Sequence, residues 1–184
     1  MKTGKLKLLI DKFDVENHWR NYGRIYFERF RKHNILQRIR YRQQEKELIR
    51  HLREVVFTDD NNISTVLEIG CGFGRITKLL LDNFNIRELE AFDLSSHQIE
   101  NAKRYVTDNH AHFKVCNVFD YPFFPESFDL VIAVEVLMHI PPQRIEYAVQ
   151  KMCVTTKKYV VSLDADYFSG KLAPHCFNHS YIGL

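Results

Sequence analysis

The sequence predicts an α/β protein: a mostly parallel sheet wrapped by helices, with an N-terminal helical extension. Three observations predict it. Short β-rich runs alternate with helical stretches from residue 65 onward, the pattern of strand–helix–strand units. The runs VLEI, DLVIAV and YVVSL are apolar almost throughout, as strands buried on both faces must be. Three of the seven glycines stand at alternate positions, Gly70, Gly72 and Gly74, between a predicted strand and a predicted helix. With 184 residues, 45% apolar and 27% charged, the chain fits one domain with an appendage and is neither disordered nor fibrous.

The elements follow in order. From residue 15 to 56 there is one glycine, Gly23, and no proline, and apolar residues such as Ile25, Phe27, Phe30, Ile35, Leu36, Ile39, Leu48, Ile49 and Leu52 recur at helical steps. This predicts two or three amphipathic helices, with breaks near Gly23 and Asn34. A polar loop at 58–62 separates them from a core with strands at 65–69, 88–92, 112–115, 130–134 and 159–163 and helices at 77–83, 97–105 and 145–152. The division is therefore a basic helical region over 1–57 and a sheet-forming core over 58–184. Residues 1–54 carry fifteen Lys/Arg against seven Asp/Glu, whereas 55–184 carry eleven against sixteen, for a net charge of +3. A basic head suits either a solvated helix face or an anionic partner such as nucleic acid.

No apolar run reaches the ~18–20 residues a membrane helix needs, so no membrane span is expected. The N-terminal MKTGKLKLLI turns polar at Asp11, too early for a secretory signal. Cys71, Cys116, Cys153 and Cys176 form no CxxC pair, which argues against a disulfide framework or zinc site and suggests a reducing, cytoplasmic setting.

The stretch Glu68-Ile-Gly-Cys-Gly-Phe-Gly74 carries the most chemistry. Glycine tolerates positive φ and lets a ligand approach the backbone, and the amides of the following helix N-terminus can receive its polar groups. A dinucleotide fingerprint would need a third glycine where Arg75 stands, and the Gly-Lys-Ser/Thr of a phosphate-binding loop is missing. Glu68 puts a carboxylate at the strand end, which suits a cationic ligand group. Asp93 follows Gly74 by 19 residues and ends the next strand, where a carboxylate can accept both hydroxyls of a ribose. Ser95 or Ser96 is expected to cap the following helix and leave Asp93 available.

On these residues the chain resembles the class I S-adenosylmethionine (SAM)-dependent methyltransferases, whose first motif reads acid-x-Gly-x-Gly-x-Gly. The resemblance runs from about Val66 to Leu163 and implies a Rossmann-like fold, SAM as methyl donor and S-adenosylhomocysteine (SAH) as product. It assigns Glu68, Gly70, Cys71, Gly72, Gly74, Asp93 and Leu94 to the cofactor. The adenine-contacting acid of the family falls on Asn117, with Val118 beside it, a departure that leaves Asn117 its side-chain oxygen as acceptor; Asp120 reads as a turn residue or an alternative contact. Glu135 and Val136, after Asp129-Leu-Val-Ile-Ala-Val134, would line the sulfonium end. His139 is the expected catalytic base or a brace for its turn, and Pro141 and Pro142 are expected to open the next helix.

Trp19, Tyr22, Tyr26, Asp164 and His175 are expected on the acceptor side, with Asp166 and His179 as further bases, under an N-terminal lid. The acceptor is expected to be a small molecule or sugar; RNA or protein, or a SAM-binding module without activity, are the alternatives. His175 and His179 stand at i, i+4 with no third ligand, so they read as solvent-facing and no metal is expected. Family members continue through an antiparallel strand pair beyond the fifth strand that this sequence lacks. It is thus a piece of a longer chain, a shortened member, or a sheet completed by homodimerisation.

Overall fold

The computed structural model describes residues 14–164, 173 and 175–179; Asp166 lies outside them. Five strands form one sheet: β1 (Thr65–Ile69), β2 (Glu88–Asp93), β3 (Ala111–Val115), β4 (Phe128–Val134) and β5 (Thr156–Leu163). Their order is β3-β2-β1-β4-β5, and every pairing is parallel. The chain starts in the middle, winds out to β3, then returns to the other side of β1. That reversal places a crevice at the carboxyl ends of β1, β2 and β4.

Successive side chains of a strand face opposite sides, so β1 divides its residues between two cores. Val66 joins Leu89, Leu130 and Ile132 on one face, and Leu67 and Ile69 join Phe92, Val131 and Ala133 on the other. The first face is covered by α3 (Arg75–Asn83) and α4 (Ser96–Tyr105), the second by α5 (Ile145–Thr155) and a 3₁₀ turn (Leu137–His139). Cover on both sides explains why the central strands are apolar without alternation.

Asp129 ties the sheet at its amino end. Its Oδ2 accepts from the amides of Ser64 and Thr65, both at 3.0 Å, and from Thr65 Oγ1 at 2.9 Å. Burial opposes its ionisation, but these donors outweigh burial and hold its pKa below the usual carboxylate value.

Two N-terminal helices precede the sheet, α1 (Val15–Arg31) and α2 (Ile35–His51), followed by a π-helical turn at Leu52–Val56. Asp14 caps α1 by accepting from the Asn17 amide at 2.9 Å. The break expected at Gly23 does not occur: α1 runs straight through it. Gly23 instead allows close packing, because a Cβ there would fall on Ser95 Oγ and lie 2.7 Å from Ser95 Cβ. The break at Asn34 is present, as a capping box with Gln37.

The amphipathic reading of α2 holds only for its last turns. Leu48, Ile49 and Leu52 are buried, and Leu48 and Leu52 share the core of Val66, whereas Ile35, Leu36 and Ile39 are 68%, 74% and 55% exposed. Pro141 and Pro142 sit in the turn before α5, which begins at Ile145. No helix among the described residues is long and apolar enough to cross a membrane.

Candidate functional site

The glycine turn leaves β1 with φ of +67° at Gly70, +55° at Gly72 and +86° at Gly74. A Cβ on Gly70 would lie 2.5 Å from Val136 Cγ2, and one on Gly74 2.8 Å from Val106 Cγ2. Both conformation and space therefore demand glycine at these two positions. The Cys71 amide donates to Phe92 O at 3.0 Å, which lashes the turn to the end of β2.

Asp93 braces the same turn. Its Oδ2 accepts from the Gly72 amide at 2.9 Å and its Oδ1 from the Ser95 amide at 2.8 Å. The expected serine cap is not made: Ser95 is the N-cap residue, but its side chain makes no cap hydrogen bond and among the described residues its buried Oγ has no partner, while Asp93 holds the Ser95 amide. Burial raises the Asp93 pKa, and the two amides oppose that shift. Each oxygen keeps a second lone pair for a ligand.

Glu68, paired in register with Ala91 on β2, is 2% exposed and accepts from Thr77 Oγ1 on α3 at 2.5 Å. Burial pushes its pKa up to about 8, against the pull of Thr77 and Arg75, with Asp93 adding repulsion. A cation brought beside this carboxyl would favour its ionised form and lower that pKa again.

Across the crevice, β4 runs into Glu135, held at φ +57°, a left-handed conformation that a non-glycine residue adopts only when its surroundings impose it. The surroundings are visible. Glu135 accepts from Gln44 Nε2 at 3.1 Å and lies 4.0 Å from Arg75 Nη2, while Arg75 also bonds Glu45 at 3.0 Å and Gln44 at 3.1 Å and stacks on Tyr41. This network joins α2 to both the glycine turn and β4. Sequence reasoning missed it because its partners lie as far as 91 positions apart.

The result is a cleft of about 410 Å³, lined by every expected cofactor-side residue except Gly74, which is buried in helix packing instead. Asn117 lines it, but its side-chain oxygen already accepts from the Phe119 amide at 3.1 Å, which leaves its amino group as the readier hydrogen-bonding function. Asp120 is exposed and outside the cleft, as a turn residue would be. Trp19, Tyr26 and His139 also reach the cleft, and so does Gln98. Among the described residues, Trp19 Nε1 and Gln98 Oε1 are buried with no hydrogen-bond partner, a donor and an acceptor of the kind a ligand satisfies.

A second cavity of about 380 Å³ shares Trp19, Tyr26, Glu135 and His139 with the first. Tyr22 and His175 line it; Asp164 lines neither cavity and accepts from Ser162 Oγ at 3.3 Å. His139 sits at the junction of the two spaces. Its Nδ1 donates to His175 O at 2.8 Å, which fixes the tautomer with the lone pair on Nε2. Burial lowers its pKa, and that of His175 falls to about 4, so both rings are neutral at pH 7.

The histidines at 175 and 179 are not solvent-facing. The segment 175–179 straps the 3₁₀ turn: the Phe177 amide donates to Met138 O at 2.7 Å and His179 Nε2 to Leu137 O at 3.0 Å. It also brings His175 and Cys176 to His139, with one possible ligand atom from each within 4.8 Å of the others. The spacing of 175 and 179 gave no sign of this trio, whose third member comes from the far side of β5. As it stands, hydrogen bonds brace it, with Cys176 Sγ 3.7 Å from His139 Nδ1.

Comparison with known proteins agrees with this architecture. A malonyl-[acyl-carrier protein] O-methyltransferase of Priestia megaterium is 37% identical over 73 residues, 40% of this chain and 26% of the relative. An O-methyltransferase of Penicillium expansum is 30% identical over 83 residues, 43% of this chain and 30% of the relative. The matches thus span about a quarter to a third of these relatives. Among solved structures, magnesium protoporphyrin IX methyltransferase from Synechocystis PCC 6803 with bound SAM superposes with a TM-score of 0.69 at 17% identity, covering 92% of this chain and 82% of that one. NodS, an N-methyltransferase from Bradyrhizobium japonicum in complex with SAH, gives 0.56 at 22% identity, covering 66% and 60%. These likenesses fix the Rossmann-like fold. Residues 66–158, half of the chain, match the family described as "Methyltransferase domain", and the chain belongs to that family.

Proposed function

We propose that the chain binds SAM in the larger cleft and moves its methyl group to a small-molecule acceptor seated in the adjoining cavity. The observation that carries this reading is the pair Glu68 and Asp93: two acids on neighbouring strand ends that face one cleft across a turn of positive-φ glycines. The unpartnered Trp19 Nε1 and Gln98 Oε1 support the fit, since a bound nucleoside with an amino-acid tail offers both acceptors and donors. Asp93 would accept the ribose hydroxyls, Glu68 and Glu135 would face the cationic end, and Leu94 and Val118 would flank the base beside Asn117.

When bound, SAM supplies a methyl carbon on a sulfonium sulfur, whose departure as a thioether needs no acid. The chain's own task is then alignment and exclusion of water, to which effective molarity can contribute ~7–11 kcal/mol at best. With an oxygen acceptor, His139 Nε2 would take the hydroxyl proton as the oxygen bonds to the methyl carbon and the carbon–sulfur pair leaves with the thioether. A neutral, oriented imidazole suits that role. Helices α1 and α2 act as the lid, α2 held down by the Arg75–Glu135–Gln44 network and α1 by the seat of Gly23 on Ser95.

Calorimetric titration with SAM and SAH, followed by transfer of labelled methyl to pooled metabolites, RNA and protein, tests the proposal. Binding of both with label in a small-molecule fraction is the expected result. Binding of neither contradicts the cofactor assignment, and label confined to RNA or protein contradicts the acceptor class.

A further inference from the structure

The second cavity has a chemistry of its own. Its rings come from both sides of the chain: His18 stacks on His175 at 4.5 Å, and Trp19 lies 4.6 Å from His139. Two guanidinium groups stand in its wall. Arg29 lies over the Tyr22 ring at 5.2 Å and donates to Tyr22 Oη at 3.2 Å; Arg40 lies over Tyr41 at 5.6 Å. Among the described residues neither arginine is paired with a carboxylate. Among the described residues the one acid in the lining, Glu135, is held by Gln44 and Arg75 at the cleft side. The three histidines of the lining have lowered pKa values and are neutral at pH 7, so among the described residues the fixed positive charge of this space belongs to the two arginines.

From this arrangement we infer that the methyl acceptor is a ring compound that carries a carboxylate, its ring against the tyrosines of α1 and α2, its carboxylate on Arg29 and Arg40, and its methyl-accepting hydroxyl toward His139. Guanidinium is the group best matched to a planar carboxylate, and aromatic walls offer a flat ring edge-to-face contact. The inference builds on the proposed methyl transfer and narrows its substrate class. The fate of the proton and methyl group is as given above.

The test uses SAH-saturated protein titrated with 4-hydroxybenzoate and with phenol, on the parent chain and on the Arg29→Gln/Arg40→Gln double variant. SAH affinity, measured first in each protein, reports folding and the cofactor site separately. On the parent, 4-hydroxybenzoate is expected to bind at least tenfold more tightly than phenol; in the double variant that preference disappears while SAH binding is unchanged. Equal affinity for the two probes, binding of neither, or a preference that survives the double substitution overturns the inference and leaves the methyltransferase reading intact. Failure of SAH itself to bind removes that reading, and the inference with it.

Discussion

A carboxyl buried at the end of a central strand gains little from ionising until a cation arrives, and Glu68 is in that position. Its pKa, raised from an ordinary 4.5 to about 8 by burial, links two measurable properties. Folding favours its protonated form, so the stability it contributes is fully present below about pH 4.5 and lost as pH rises through about 8. Glu68→Gln is expected to flatten the fall in the unliganded protein's stability across that window, measured by urea unfolding at a series of pH values. SAH binding is expected to strengthen with pH toward 8 in the parent, as the ionised carboxylate meets an ammonium group, and the variant is expected to lose that rise. Identical pH profiles would show that Glu68 stays neutral and serves Thr77 alone. Asp129 works with the opposite sign: its lowered pKa means that its contribution is present above the ordinary value of 3.8 and lost as pH falls through the folded one. Asp129→Ala leaves the buried Thr65 amide without an acceptor and is expected to cost about 2–4 kcal/mol, with the urea midpoint lowered and the slope unchanged.

At the scale of elements, what was legible in the sequence was what repeats locally. The glycine turn, the acid that ends β2 and the alternation of strand with helix are short-range patterns, and each predicted strand lies within its observed counterpart or coincides with it. Gly23 shows where local reading fails. A glycine inside a helical pattern signals a break by its propensity, yet here its purpose is tertiary, the approach of α1 to the start of α4. The exposed Ile35, Leu36 and Ile39 fail for the same reason, since periodicity shows that a face is apolar and not that anything covers it. Gly23→Ala separates the two causes. In an isolated helix it would gain ~1 kcal/mol, whereas here its clash with Ser95 is expected to give a net loss of about 1–3 kcal/mol. A stabilised variant in thermal unfolding would mean that α1 is not seated as described. Asn34→Ala, which removes the capping box of α2, is expected to cost about 1 kcal/mol in the same assay.

For the whole molecule, the sheet order explains why the site is where it is. Reversal of winding beside β1 leaves the carboxyl ends of β1, β2 and β4 uncovered by crossover helices, and the acids and glycines assigned to the cofactor stand at or just past those ends, with Asn117 and Val118 reaching in from the end of β3. The arms of the Arg75 network and the strap at 175–179 close this crevice through contacts between distant segments. No composition or spacing announces such contacts, which is why the lining of the larger cleft followed from local motifs while that of the second cavity was legible only as a scatter of candidate residues. Crystallographic analysis of the protein grown with SAH tests the central claim most directly. The account predicts density in the larger cleft, with ribose hydroxyls on Asp93 and the amino-acid end beside the glycine turn and Glu68. A nucleoside bound elsewhere, or Asp93 and Glu68 out of reach of any ligand atom in a fully occupied complex, would contradict it.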